Sequence, residues 1–191
     1  PQEPLGWEPV ADGHQEPVVR VEQRRTDQSH LCLGLPGLSL GDPDRYALTV
    51  LNVVLGDGMS SRLFLNLRER QSLAYEVSSS ISQFRDCGSL VVSCGVEPKK
   101  SREAVRAVVS ELKGMHQPVP PQEMGKAKEY TKGRLLLRME DSRAVASSNA
   151  VQELLRGEIR SVEDMIAEID SVKIEDLARV GKQVIRPEKL V

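Results

Sequence analysis

The sequence predicts an α+β fold, a two-layer sandwich in which helices pack on an antiparallel or mixed sheet. Three observations carry that reading. A strand-like segment comes first, two helical stretches and a β-hairpin follow, and from about residue 122 to 186 the chain favours helix continuously. This order lacks the strict strand-helix alternation of a doubly wound parallel sheet, so strands and helices should separate into layers. With 191 residues, 39% of them hydrophobic, the chain can bury one sizeable core, and residues 18–191 read as a single domain. Aromatics make up only 3%, so that core must be built from Leu, Val, Ile and Ala.

Each element has its own signal. Pro1, Pro4, Pro9 and Pro17 exclude a helix or central strand over residues 1–17, which read as a linker from a preceding N-terminal domain. Val18-Val-Arg-Val and then Leu31, Leu33 and Leu35 on alternate positions predict strand with one apolar face. Asp42-Pro43 supplies an N-cap and a proline for the first helical position. Ala47, Leu48, Leu51, Val54 and Leu55 form the helical stripe, and Gly56 stops it. Ser60 and Ser61 cap a second helix over roughly 61–71, with Leu63, Phe64 and Leu67 inward. The period then changes. Leu73, Tyr75, Val77, Ser79 and Ile81 share a strand face, Asp86-Cys87-Gly88 turns the chain, and Leu90, Val92, Cys94 and Val96 return.

Helical spacing resumes over residues 99–113, and three prolines between His116 and Pro121 break it. Asp141-Ser142, Gly157 and Ser171 divide the remainder into four helices, with Ser161 and Asp164 spaced as a capping box. Leu177, Val180, Val184 and Ile185 give the last helix its buried stripe. Pro187 to Val191 opens a new apolar segment, as in a domain truncated at its end.

Composition excludes several function classes. A formal charge of −2 leaves no excess cation to neutralise phosphates, so nucleic acid is not an expected partner. No apolar run approaches the roughly 20 residues of a membrane span, and Pro1-Gln-Glu-Pro4 does not resemble a signal peptide. A soluble, cytoplasmic protein without a membrane partner is expected. Cys32, Cys87 and Cys94 form an odd set without a close pair, which reads as free thiols. His14, His30 and His116 fall in a linker, a strand and a loop, and no two share a helical face. No metal is therefore expected in this chain.

The chemistry concentrates in Leu55-Gly-Asp-Gly-Met-Ser-Ser-Arg-Leu-Phe-Leu-Asn-Leu-Arg-Glu-Arg-Gln-Ser-Leu-Ala-Tyr75-Glu-Val. Taken alone, Arg68 reads as a solvated side chain paired with Glu69 or Glu76. Taken alone, Tyr75 reads as a ring packed beside Leu73 and Val77. Together, in Ser-Ser-Arg-Leu…Leu-Arg-Glu-Arg…Leu-Ala-Tyr, they resemble the second half of a pitrilysin-type zinc peptidase, the family that includes processing peptidases and insulysin. That resemblance covers most of residues 18–190 and implies a processing-peptidase-like metallohydrolase half of the same two-layer architecture.

What the resemblance implies for function is specific. Arg68 and Tyr75 would be catalytic and substrate-binding, acting on the oxyanion formed when a peptide bond is attacked. Ser60 and Ser61 would shape the substrate-binding corner. The zinc motif His-x-x-Glu-His is absent from this sequence, so zinc is expected in a missing N-terminal half. The implied partners are that metal-binding domain or an active homologous subunit, and a peptide substrate; a homodimer is compatible with the sequence. The alternative is a non-catalytic subunit or scaffold of a processing-peptidase-like complex, and a third reading is a standalone binding domain. Two further features read as structural. Gly56-Asp57-Gly58 lacks the remaining glycine and lysine of a phosphate loop and fits a helix C-cap with a tight turn. Lys99, Lys100, Arg102 and Arg106 read as a solvated helix face.

Overall fold

Hydrophobic alternation in three segments builds a three-stranded antiparallel sheet. A computed structural model of the protein describes residues 8, 10, 11 and 15–191; His14 and most of the expected linker lie outside them. Strands β1 (Ser29–Gly37), β2 (Ala74–Gln83) and β3 (Gly88–Val96) lie in the order β1-β3-β2. Leu33 faces Val92 across one ladder and Ser79 faces Val92 across the other, so inward residues meet in register. One sheet face is thereby apolar. Val77, Leu90, Val92, Cys94 and Val96 are all buried on it.

Helices cover that face. α1 (Arg45–Leu55) runs through the centre with Leu48, Leu51 and Leu55 fully buried. α2 (Ser101–Gly114) presents Ala104, Val108 and Leu112 at the predicted spacing. α3 (Pro121–Met139), α4 (Ser142–Arg156), α5 (Val162–Ser171) and α6 (Ile174–Val184) are the four helices expected from the dividing residues. Gly157 closes α4 with φ +68, and Ser161 and Asp164 form the predicted capping box on α5. α3 and α6 flank α1, and α5 packs on α3. α4 stands apart, with no fully buried residue.

Several expectations need correction. The strand does not include Val18–Val21: Val19 and Val21 are each 84% exposed, and Val18 donates to the Leu190 carbonyl outside the sheet. β3 is nine residues long and pairs with Ser29–Gly37, leaving nothing for the earlier valines to bond. The terminal segment instead meets the β1 edge, where Gly34 and Val191 exchange backbone hydrogen bonds of 2.7 and 2.9 Å. α1 starts at Arg45 rather than Pro43, because Asp42 spends its side chain on the Asp44 amide in the preceding turn. The second helix widens into a π-helix over Phe64–Arg70, closed by Gln71 N–H donating to Asn66. Tyr75 leaves the buried face altogether.

Candidate functional site

The departure of Tyr75 has a local cause. Ala74 faces Val96 and Glu76 faces Gly95, so Tyr75 is an extra residue with no opposite number, a β-bulge at the start of β2. Leu73 and Ala74 are both buried, and the bulge turns Tyr75 outward to 58% exposure. The expected alternation Leu73, Tyr75, Val77 fails at this point. An inserted residue moves a side chain to the other face of a strand whose period is two.

Two further irregularities precede it. The π-helix delivers Arg68 in its last turn, and Ser72 then adopts φ +49, a left-handed conformation uncommon for a residue with a side chain. Such backbone persists when neighbours hold it, and it concentrates at functional sites. Lys100 is one such neighbour: its Nζ donates to the Ser72 carbonyl at 3.1 Å.

Arg68, Ser72, Tyr75, Glu97 and Lys100 line one open cavity of about 290 Å³. Arg68 is only loosely engaged, 3.9 Å from Glu69 and with its guanidinium 5.0 Å from the centre of the Phe64 ring. Lys100 stands 4.0 Å from Glu97. The cavity thus presents two cations, one carboxylate and a phenol, a set that donates hydrogen bonds more readily than it accepts them. Sequence reasoning missed Lys100, read as a solvated lysine on a helix face. The contact with Ser72 spans 28 residues of chain, and no local spacing signals it.

The two serines lie elsewhere. Ser61 is 2% exposed, and its hydroxyl donates to the Gly58 carbonyl at 2.6 Å. Ser60 lines a different cavity of about 380 Å³, together with Arg62, Asn66 and Arg70. The structure therefore brings Arg68 and Tyr75 together and separates both serines from them. Gly56-Asp57-Gly58 is the expected C-cap and turn. Gly56 N–H donates to the Asn52 carbonyl, and Arg134 Nη1 donates to both Asp57 carboxylate oxygens at 2.8 and 2.7 Å.

Metal ligation finds no fit in these residues. A ring nitrogen of His116 lies 2.9 Å from the Ile185 carbonyl oxygen, and His30 projects from exposed strand. Among the described residues no three His, Cys, Asp or Glu side chains cluster closely enough to hold a metal ion. Burial pushes the Cys94 thiol up to about 11, with Cys32 adding to the shift, so it stays protonated near neutral pH. Among the described residues no helix is long and apolar enough to cross a membrane.

Comparison with known proteins decides the family. The family model described as "Peptidase M16 inactive domain" matches residues 1–130. The chain belongs to this family. An uncharacterized zinc protease of Streptomyces coelicolor is 39% identical over 168 residues, covering 87% of this chain and 37% of its own. The uncharacterized zinc protease YmxG of Bacillus subtilis is 35% identical over 181 residues, covering 91% of this chain and 44% of its own. The chain thus spans about two fifths of the length of these relatives. A protease from Helicobacter pylori shares the fold with a TM-score of 0.87 at 21% identity, covering 98% of this chain and 45% of the other. The peptidase M16 inactive domain and its zinc-protease relatives match the resemblance carried by residues 48–96.

Proposed function

We propose that this M16 inactive domain is the substrate-binding half of a two-part zinc metalloendopeptidase that acts on peptides or unfolded segments. The reading rests on one observation: Arg68 and Tyr75, both solvent-facing, line a single cavity at a corner made of three successive backbone irregularities. In the working protein a metal-bearing domain of similar fold would close over this cavity in the cytoplasm, and zinc held by that domain, not by residues of this chain, would supply the activated water. This chain supplies the opposing wall. The Arg68 guanidinium donates to the scissile carbonyl oxygen and holds the charge that develops on it. The Tyr75 hydroxyl donates a second hydrogen bond to the same oxygen, each donor contributing about 3 kcal/mol to transition-state stabilisation. Lys100 fixes the Ser72 turn that sets the separation of the two.

The domain alone is inactive in this account. The full natural polypeptide should cleave an unstructured peptide in a chelator-sensitive way, and Arg68→Ala should lower turnover roughly 100-fold while leaving peptide binding within severalfold. Full activity of the isolated domain, or undiminished turnover in the variant, would refute the assignment. Peptide binding by a full protein with no turnover under any metal condition would favour the non-catalytic subunit.

A further inference from the structure

A second site opens away from the Arg68 corner, in a cavity of about 300 Å³ where α1, the end of β2, the end of α3 and the inner side of α4 meet. Three arginines line it, Arg45, Arg138 and Arg156, and no Asp or Glu does. Arg45 is 8% exposed. Its guanidinium donates to the Leu40 carbonyl at 3.0 Å and to the Tyr46 hydroxyl at 2.9 Å, and lies 4.5 Å from the centre of the Tyr46 ring. All of these partners are neutral. Among the described residues none of the three guanidiniums has a carboxylate within 4.0 Å. Arg138 is exposed and Arg156 half-buried, as solvated arginines commonly are, but burying the Arg45 charge is costly without an opposite charge beside it.

A second observation points the same way. The side-chain nitrogen of Gln83, which lines this cavity, is buried without a hydrogen-bond partner. Buried donors in folded proteins are nearly always satisfied, so an orphan beside three unpaired cations marks a place for an acceptor. The Ser148 hydroxyl is a further donor: it accepts from Gln152 Nε2 at 3.5 Å, which leaves its proton free. The looseness of α4, which buries no residue completely, fits a helix that gains contacts from a ligand.

We infer that this cavity binds a phosphate group, carried by a small phosphomonoester or as the free ion. The donor-bearing residues come from α1, β2, α3 and α4 and line the cavity from several sides. A tetrahedral dianion uses that arrangement better than a planar carboxylate, which satisfies one fork at a time. The volume exceeds that of a bare phosphate. Leu40, Val151 and Met165 supply an apolar wall for an attached organic group.

This inference is independent of the peptidase reading. The test is isothermal titration of the full natural polypeptide with inorganic phosphate and with phenyl phosphate at fixed ionic strength, using phenol and chloride as controls. Saturable binding is expected, with Arg138→Gln and Arg156→Gln each weakening it by about tenfold, the worth of a charge-assisted hydrogen bond. Lys182→Gln, an exposed change on α6, should leave it unaltered. Circular dichroism verifies that each variant keeps its helices. Inorganic phosphate binding as tightly as the ester identifies the ion as ligand, whereas binding of the ester alone identifies the monoester. Absence of saturable binding by either probe at millimolar concentration, or binding retained in both arginine variants, would overturn the site.

Discussion

Gly56→Ala tests whether the end of α1 and strand β2 are locked together beneath the Arg68 corner. Gly56 has φ −159 and ψ 6, outside the left-handed region that favours glycine, and the cost worked here is the steric one of its new Cβ. A Cβ at 56 would lie 2.6 Å from Ser79 Oγ, 2.7 Å from Ser79 N and 2.8 Å from Leu63 Cδ1. Two of these neighbours are side-chain atoms, but the third is backbone. Restoring ordinary contact at 3.4 Å requires β2 to retreat by roughly 0.7 Å from the helix end. That retreat stretches the Ser79 N–H bond to the Gly56 carbonyl, now 3.0 Å, and the Ser79 hydroxyl bond to Asn52 Oδ1, now 2.7 Å. Overpacking costs about 1–3 kcal/mol and a buried hydrogen bond about 1 kcal/mol, giving about 2–4 kcal/mol in total. For a domain of this size the melting temperature should fall by roughly 4–16 °C, measured by differential scanning calorimetry. Adding Ser79→Ala removes only the Oγ clash, so the double variant should recover little. A Gly56→Ala melting curve indistinguishable from wild type would refute this packing argument.

Other expectations follow from the same geometry. Arg179 and the Lys173 amide bond the Asp176 carboxylate and hold it below its ordinary value of 3.8. A depressed carboxylate stabilises the fold above its unfolded value, and this contribution is lost as pH falls through the folded one. Acid unfolding below about pH 4 should therefore be less steep in Asp176→Asn. Iodoacetamide at pH 8 should label exposed Cys32 while sparing Cys94, whose thiolate fraction is then about one in a thousand; equal labelling of the two in native protein would contradict the burial. Lys100→Met releases the Ser72 carbonyl, and backbone hydrogen exchange should rise across residues 72–76 with little change in global stability.

Much of the fold was legible because its signals are local. Gly157, the Ser161 and Asp164 pair, and the Asp141-Ser142 break divide the C-terminal helices as predicted, since each cap satisfies backbone groups within a few residues. The inward stripe of α1 was equally plain. The region around the candidate site was harder to read. A strand of Leu73, Tyr75 and Val77 looks continuous until a bulge shifts the phase, and neither the π-turn nor the left-handed Ser72 uses a glycine that would announce it. The resemblance named Arg68 and Tyr75, while Lys100 and the Arg45 cavity depend on contacts between elements distant in sequence.

Coupling between the two proposed donors is the most direct test of the functional account. A double-mutant cycle on kcat/KM, with Arg68→Ala, Tyr75→Phe and the pair, is measured in the full natural polypeptide. Two groups holding one oxyanion should each cost roughly 100-fold or more alone, and together clearly less than the product of the two losses. Strictly multiplicative losses would show that they act on separate steps, and unchanged kcat/KM in both single variants would remove this wall from the chemistry.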